Sequence, residues 1–122
     1  MNPIVDDYNT PISFFKLKVQ KFVRERRWTK YHTPKNLIHA LSIEVAELSE
    51  IFLFKDFSLE NIKSDRNLLE NISDEIADVF IYLISLLNSV DLDLTSAFTK
   101  KMEKNELKYS LDDFNNGSYQ KL

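Results

Sequence analysis

The sequence predicts an all-α protein, a bundle of four helices, on three observations. Turn formers are scarce, with one Gly and three Pro in 122 residues, whereas sheet folds need many. Apolar residues recur at steps of three and four over long stretches. Thr-Pro pairs stand where two of those stretches begin, the Thr suited to cap a helix and the proline to open it.

Taken in order, residues 1–9 read as a loose arm, and Thr10-Pro11 starts the first helix. Ile12, Phe15, Val19 and Phe22 line one of its faces, and the pattern persists to about Trp28. Residues 29–33 connect to Thr33-Pro34, which opens a second helix bearing Leu37, Leu41, Leu48 and Phe52 on one side and reaching about Lys55. Residues 56–67 are charged and less patterned, a loop with a short helix after Ser58. The third helix covers roughly Asn67 to Ser89. From Ile76 to Leu87 its apolar residues occupy nearly the whole circumference, as in a helix buried on several sides. Asp91 to Asp93 interrupt the pattern, a fourth helix runs from Leu94 to about Tyr109, and residues 111–122 form a polar, loose tail. A chain of this length without internal repeats is expected to be a single domain over 1–122.

Composition narrows the function classes. The hydrophobic fraction of 43%, with nine Phe and five Tyr, supports a real core. A net charge of −3 argues against a nucleic-acid partner, which would call for a basic face. The absence of Cys excludes disulfides, thiolate metal sites and thiol nucleophiles. No apolar stretch reaches membrane-spanning length and the N-terminus is polar, so no membrane partner is expected and the cytoplasm is the default location.

Four acids stand where apolar residues belong. A helix turns ~100° per residue, so Leu37 and Ile51 fall within about 20° of Glu44, and Glu47 lies ~60° away on the same arc. On the third helix Leu68, Tyr82 and Leu86 fall within about 20° of Glu75, with Asp78 ~60° off. Glu50 and Asp74 project ~120° and ~100° from those directions. A single inward acid is commonly satisfied by a Lys or Arg. Two such pairs on consecutive helices, with no inward basic residue on either, call for a metal instead. The all-oxygen set suits a hard ion, Mg²⁺ or Mn²⁺. A di-iron carboxylate site would pair Glu with Glu-x-x-His, and neither His32 nor His39 follows a Glu by three.

Glu44-x-x-Glu47 and Glu75-x-x-Asp78, together with the segment FVRERRWTKYHTPKNLIHALSIEVAELSEIF, resemble the MazG-type all-α nucleoside triphosphate pyrophosphohydrolases, and among them the dCTP pyrophosphatases most. DEIADVFIYLISL resembles their third helix, and Lys101, Asn105 and Tyr109 resemble their C-terminal Lys-x-x-x-Asn-x-x-x-Tyr element. The resemblance implies Mg²⁺-dependent hydrolysis of a (deoxy)nucleoside triphosphate to monophosphate and pyrophosphate by a homodimer or a dimer of dimers. It places metal ligation on Glu44, Glu47, Glu75 and Asp78, the four acids selected by helical phase, with Glu47 and Glu75 as catalytic groups. Substrate contacts are implied for Trp28, His32, Phe54, Tyr82, Lys101 and Asn105. Three departures touch the pocket: Phe54 stands where close relatives have Trp, Val19 where they have a His, and Lys108-Tyr109-Ser110 where they have Arg-Tyr-Pro. The rival reading from another class is a helical bundle that binds nucleotides without turning them over.

Overall fold

The computed structural model describes residues 4–122, and every regular element among them is helical. The helices are α1 (Ile12–Glu25), α2 (Pro34–Glu50), α3 (Leu59–Ser64), α4 (Arg66–Ser89) and α5 (Leu94–Lys108), with one 3-10 turn at Thr29–Tyr31 between α1 and α2. The chain divides into two compact units, one ending at Asp91 and the other spanning Leu92–Leu122. Among the described residues, no helix is long and apolar enough to cross a membrane.

In the first unit α4 is the shared wall against which α1, α2 and α3 pack. Leu37 of α2 and Ile84 of α4 are sealed from solvent, and Val23, Ile72 and Leu87 are buried with them. Phe15 meets Phe80 edge-on at 5.2 Å, a favourable arrangement of ring edge on ring face. The Asn88 amide donates to the Lys16 carbonyl at 3.0 Å and ties the end of α4 to α1.

Local chemistry sets the helix ends, and it corrects four expected boundaries. Pro11 itself, extended at φ −73° and ψ 157°, is the residue before α1, while the Thr10 hydroxyl donates to Asn9 instead of capping. At the other end α1 stops at Glu25, short of Trp28. Arg27 adopts a left-handed φ of 58°, with Trp28 N–H donating to the Val23 carbonyl and Arg27 N–H to that of Arg24. That paired pattern is a Schellman motif, which closes a helix by satisfying its last carbonyls. The helix α2 ends at Glu50 instead of Lys55, because residues 51–55 tighten into overlapping turns and Phe54 is left-handed at φ 56°. The helix α4 begins one residue early because the Asp65 carboxylate accepts from Leu68 N–H at 3.1 Å.

The other starts follow expectation. Thr33 accepts from Asn36 N–H ahead of Pro34, and Ser58 and Asn61 form a reciprocal capping box on α3. Asp91 is left-handed at φ 51° and Asp93 accepts from Ser96 N–H at 2.8 Å, so the expected interruption both stops α4 and starts α5. Residues 1–3 of the expected loose arm lie outside the described residues, and the remainder forms a turn in which Asp6 accepts from the N–H groups of Tyr8 and Asn9. In the second unit the tail returns to α5: the Leu122 N–H donates to the Tyr109 hydroxyl at 2.9 Å.

The expectation that α4 is buried all round is met on one side only. Ile76 and Ile81 remain 53% and 43% exposed, with Ile38, Ile43 and Val45 of α2 also open. Ile84, by contrast, has no exposed surface, and nothing can rearrange cheaply around it. Replacing Ile84 by Ala should cost about 2–5 kcal/mol of stability, read as a lowered denaturation midpoint, whereas Ile81→Ala should cost less than about 1 kcal/mol.

Candidate metal centre

The α2–α4 packing brings the two acid pairs face to face. Carboxylate oxygens of Glu44, Glu75 and Asp78 lie within 4.8 Å of one another, the span over which one ion can collect several ligands. Glu47 adjoins both Glu44 and Glu75 and acts on the ionisation of each. The backbone reason is phase: residues three apart on a helix share a face, so each helix delivers two carboxylates to one seam.

The crowding of these acids raises their affinity for protons. Burial first, then Glu47, then Asp78 and Glu75, push the Glu44 carboxyl up to about 7. Burial, with the charges of Glu47 and Asp78, also raises Glu75. The Oε2 atoms of Glu44 and Glu75 are buried without a hydrogen-bond partner. None of the ion pairs seen among the described residues engages these four acids; Lys21–Glu25, Arg26–Glu25 and Arg66–Glu70 all lie at the surface. Buried, unpartnered carboxylate oxygens converging from two helices fit a hard divalent cation, which would replace the missing hydrogen bonds and the missing charge together.

Beside this cluster an open cleft of about 490 Å³ is lined by Glu47, Glu50, Ile51, Asn71, Asp74 and Glu75. Helical phase set Glu50 and Asp74 on the outer arcs. Both are exposed and stand outside the converging trio, yet they border the same cleft as Glu47 and Glu75. A wheel drawn on one helix cannot show this, because a cleft edge is shared between two. Asn71 was not singled out in the sequence, where a lone Asn on a polar stretch carries no signal.

The expected substrate contacts lie on several elements of the two units. Trp28 packs edge-on against Phe22 at 5.9 Å, with the Arg26 guanidinium stacked 3.6 Å over the Phe22 ring. Phe54 is 99% exposed at its turn. The left-handed turn at Phe54 throws the ring into solvent. Tyr82 is half-buried on α4, one turn beyond Asp78. His32 is half-buried and held below its ordinary pKa by burial, which keeps the imidazole neutral near pH 7. It lines a smaller cavity of about 120 Å³, with Val19, Val23 and Ser85 among its walls. Lys101 and Asn105 lie on α5, in the second unit, where Lys101 is exposed and Asn105 half-buried.

Comparison with known proteins shows the family. A family model described as the MazG-like family matches residues 39–121. The chain is 36% identical over 93 residues to dCTP pyrophosphatase 1 of Mus musculus, covering 73% of this chain and 53% of that protein. The same protein of Homo sapiens gives the same identity and coverage. The chain thus spans about half the length of the curated relatives it matches. Among solved structures, a pyrophosphatase from Archaeoglobus fulgidus superposes with a TM-score of 0.74 at 38% identity, over 88% of this chain and 99% of that one.

The raised carboxyls make metal-free stability depend on pH. With Glu44 at about 7 in the fold against an ordinary 4.5, the native state binds more protons than the unfolded chain between those values. Its stabilising contribution is therefore complete below pH 4.5 and lost as pH rises through 7. Thermal melts in excess chelator should show the parent losing stability from pH 5 to 8 and Glu44→Gln losing markedly less; equal slopes would contradict the assignment.

Proposed function

We propose that this chain, which belongs to the MazG-like family, hydrolyses a (deoxy)nucleoside triphosphate, dCTP or a modified form of it, to the monophosphate and pyrophosphate. The observation that carries the reading is the convergence of Glu44, Glu75 and Asp78 across α2 and α4, with Glu47 beside them and two buried oxygens unpartnered. The names of the relatives, dCTP pyrophosphatase 1 and a pyrophosphatase, support the reaction class and the base. The family match runs from 39 to 121, across the boundary at Asp91, which supports reading 1–122 as one four-helix domain.

Glu44, Glu47, Glu75 and Asp78 would hold Mg²⁺, or Mn²⁺ in its place. Bound there, the ion would neutralise triphosphate charge and lower the pKa of a bound water. The protein groups supply placement and proton transfer. Glu44 and Glu75, the more buried acids, are fixed by packing and set the position of the site. Glu47 is exposed to the cleft and adjoins both, so it accepts the proton of the attacking water. Water adds across the anhydride between the α- and β-phosphates: its oxygen joins the α-phosphorus as the bridging bond breaks, and pyrophosphate leaves. Trp28, Phe54 and Tyr82 would contact the nucleoside, and His32, Lys101 and Asn105 would donate to base or phosphates.

The exposed apolar residues of α2 and α4 support a homodimer or a dimer of dimers, working in the cytoplasm on the nucleotide pool. Phe54 is almost wholly exposed among the described residues, and a second copy would supply its surroundings. Light scattering at micromolar concentration should give at least twice the mass of the 14.4 kDa chain.

Incubation with each nucleoside triphosphate should yield pyrophosphate with Mg²⁺ or Mn²⁺ and none in excess chelator. A diphosphate with free phosphate as products would place the chemistry elsewhere, and nucleotide binding without turnover would favour the non-catalytic reading. Glu44→Gln, Glu47→Gln, Glu75→Gln and Asp78→Asn should each lower turnover by about 100-fold or more, while Glu50→Gln and Asp74→Asn stay within a few-fold of the parent. Loss at Glu50→Gln equal to that at Glu47→Gln would make Glu50 a ligand and overturn this ranking.

A further inference from the structure

The tail of the second unit closes around one side chain. Phe114 packs against the Tyr109 ring at 5.4 Å between centroids, with its N–H donating to the Ser110 carbonyl at 3.0 Å. At the far end the Leu122 N–H donates to the Tyr109 hydroxyl at 2.9 Å. Residues 115–121 thus bridge the ring of Tyr109 to its hydroxyl, and their backbone sets the length of that bridge. Within it lies Asn116-Gly117, an asparagine followed by the single glycine of the chain.

The pair is arranged for attack of one peptide nitrogen on a neighbouring side-chain amide. Gly117 has a left-handed φ of 77°, and a Cβ built there would meet nothing within 4 Å, so the space beside its backbone is open. Asn116 is exposed, and its Oδ1 accepts from the Ser118 N–H at 3.0 Å. That bond orients the amide and folds it back over the Gly117 peptide. It also places a donor where negative charge develops when a nucleophile adds to Cγ, as an oxyanion hole does. Nucleophile and target sit on adjacent residues, so no binding step precedes the reaction. Other asparagines lack one of these elements. Asn61 and Asn88 are helical, where the next N–H is held by a carbonyl four residues back, and the Asn88 amide is committed to the Lys16 carbonyl. Asn9 and Asn115 precede Thr10 and Asn116, whose side chains crowd the attacking nitrogen.

We propose that Asn116 is a site of spontaneous deamidation and that its product releases the tail from Tyr109. The Gly117 nitrogen bonds to Asn116 Cγ, its proton leaves with the departing amino group as ammonia, and a five-membered succinimide ring remains. Water then opens the ring. Cleavage at Cγ gives aspartate, and cleavage at the Asn116 backbone carbonyl gives isoaspartate, with the main chain running through Cβ and Cγ. One water is consumed, one ammonia is released, and nothing is oxidised or reduced. Isoaspartate lengthens the main chain by one carbon, ~1.5 Å of path, and either product adds a negative charge. The bridge from Phe114 to Leu122 then no longer matches the span of one tyrosine side chain, and the Leu122–Tyr109 hydrogen bond is lost. None of this depends on nucleotide turnover.

The test ages the full chain in mildly alkaline buffer and follows the tryptic peptide from Tyr109 to Lys121 by mass spectrometry, with fragmentation that separates aspartate from isoaspartate. A gain of about 1 Da should arise at Asn116 at least about tenfold faster than at Asn115 or Asn88, with isoaspartate among the products. Gly117→Ala, which puts a methyl group beside the nitrogen, should slow it about tenfold or more. Ser118→Pro keeps the Asn-Gly pair but removes the N–H facing Oδ1, and should slow it about threefold or more. In the aged parent the Leu122 amide resonance should move to where Tyr109→Phe places it, while Asn116→Gln aged alongside keeps the original position. Equal rates at Asn116 and Asn115, or a Gly117→Ala chain that ages as fast as the parent, would overturn the site. Ser118→Pro reacting at the parental rate would refute the part given to the Ser118 N–H. An unmoved Leu122 amide in the isoaspartate form would refute release of the tail.

Discussion

Carboxylates that face one another in a partly buried seam repel, and no neighbouring cation relieves them among the described residues. That repulsion is the constraint around which the first unit is arranged. Glu44 and Glu75 could not hold buried, unpartnered oxygens unless the surrounding packing kept α2 and α4 together regardless. Leu37 of α2 and Ile72 and Ile84 of α4 are buried in the same unit, and burial of apolar surface favours its packed state. Protonation answers the strain in part, as the raised carboxyls of Glu44 and Glu75 show, and a divalent ion would answer it fully.

Helix α4 is where these demands meet. Its middle carries Glu75 and Asp78, and its C-terminal third carries the buried Ile84, Ser85 and Leu87. One rigid rod thus sets the distance between these acids and a small polar cavity, and helical rise alone fixes that spacing to within a fraction of a turn. Sites built on helices hold their geometry better than sites on loops, because the backbone carrying them has few soft degrees of freedom.

The loops show the opposite economy. The single glycine, Gly117, lies in the tail, so the chain reverses direction at Arg27, Phe54 and Asp91 with left-handed non-glycine residues. Such a conformation costs of order 1 kcal/mol at each site and persists only where its surroundings hold it. At Arg27 the Schellman hydrogen bonds do so. At Asp91 a short polar side chain tolerates it, and at Phe54 the turn leaves an aromatic ring almost wholly in solvent.

By itself the sequence determined the helical class, the helix starts after Thr33 and Ser58, and the arc on which Glu44, Glu47, Glu75 and Asp78 project. All of these depend on residues within one or two turns, and helical phase is local information. The tertiary structure decided the rest. The stops at Glu25 and Glu50 depend on left-handed residues that no Gly or Asn announces. The cleft edge formed by Glu50, Asn71 and Asp74 belongs to two helices at once, so neither wheel contains it. The tie between α4 and α1, in which the Asn88 amide donates to the Lys16 carbonyl, joins residues seventy-two apart. Hydrogen-bond direction across such a separation is set by packing, and no periodicity in the chain encodes it.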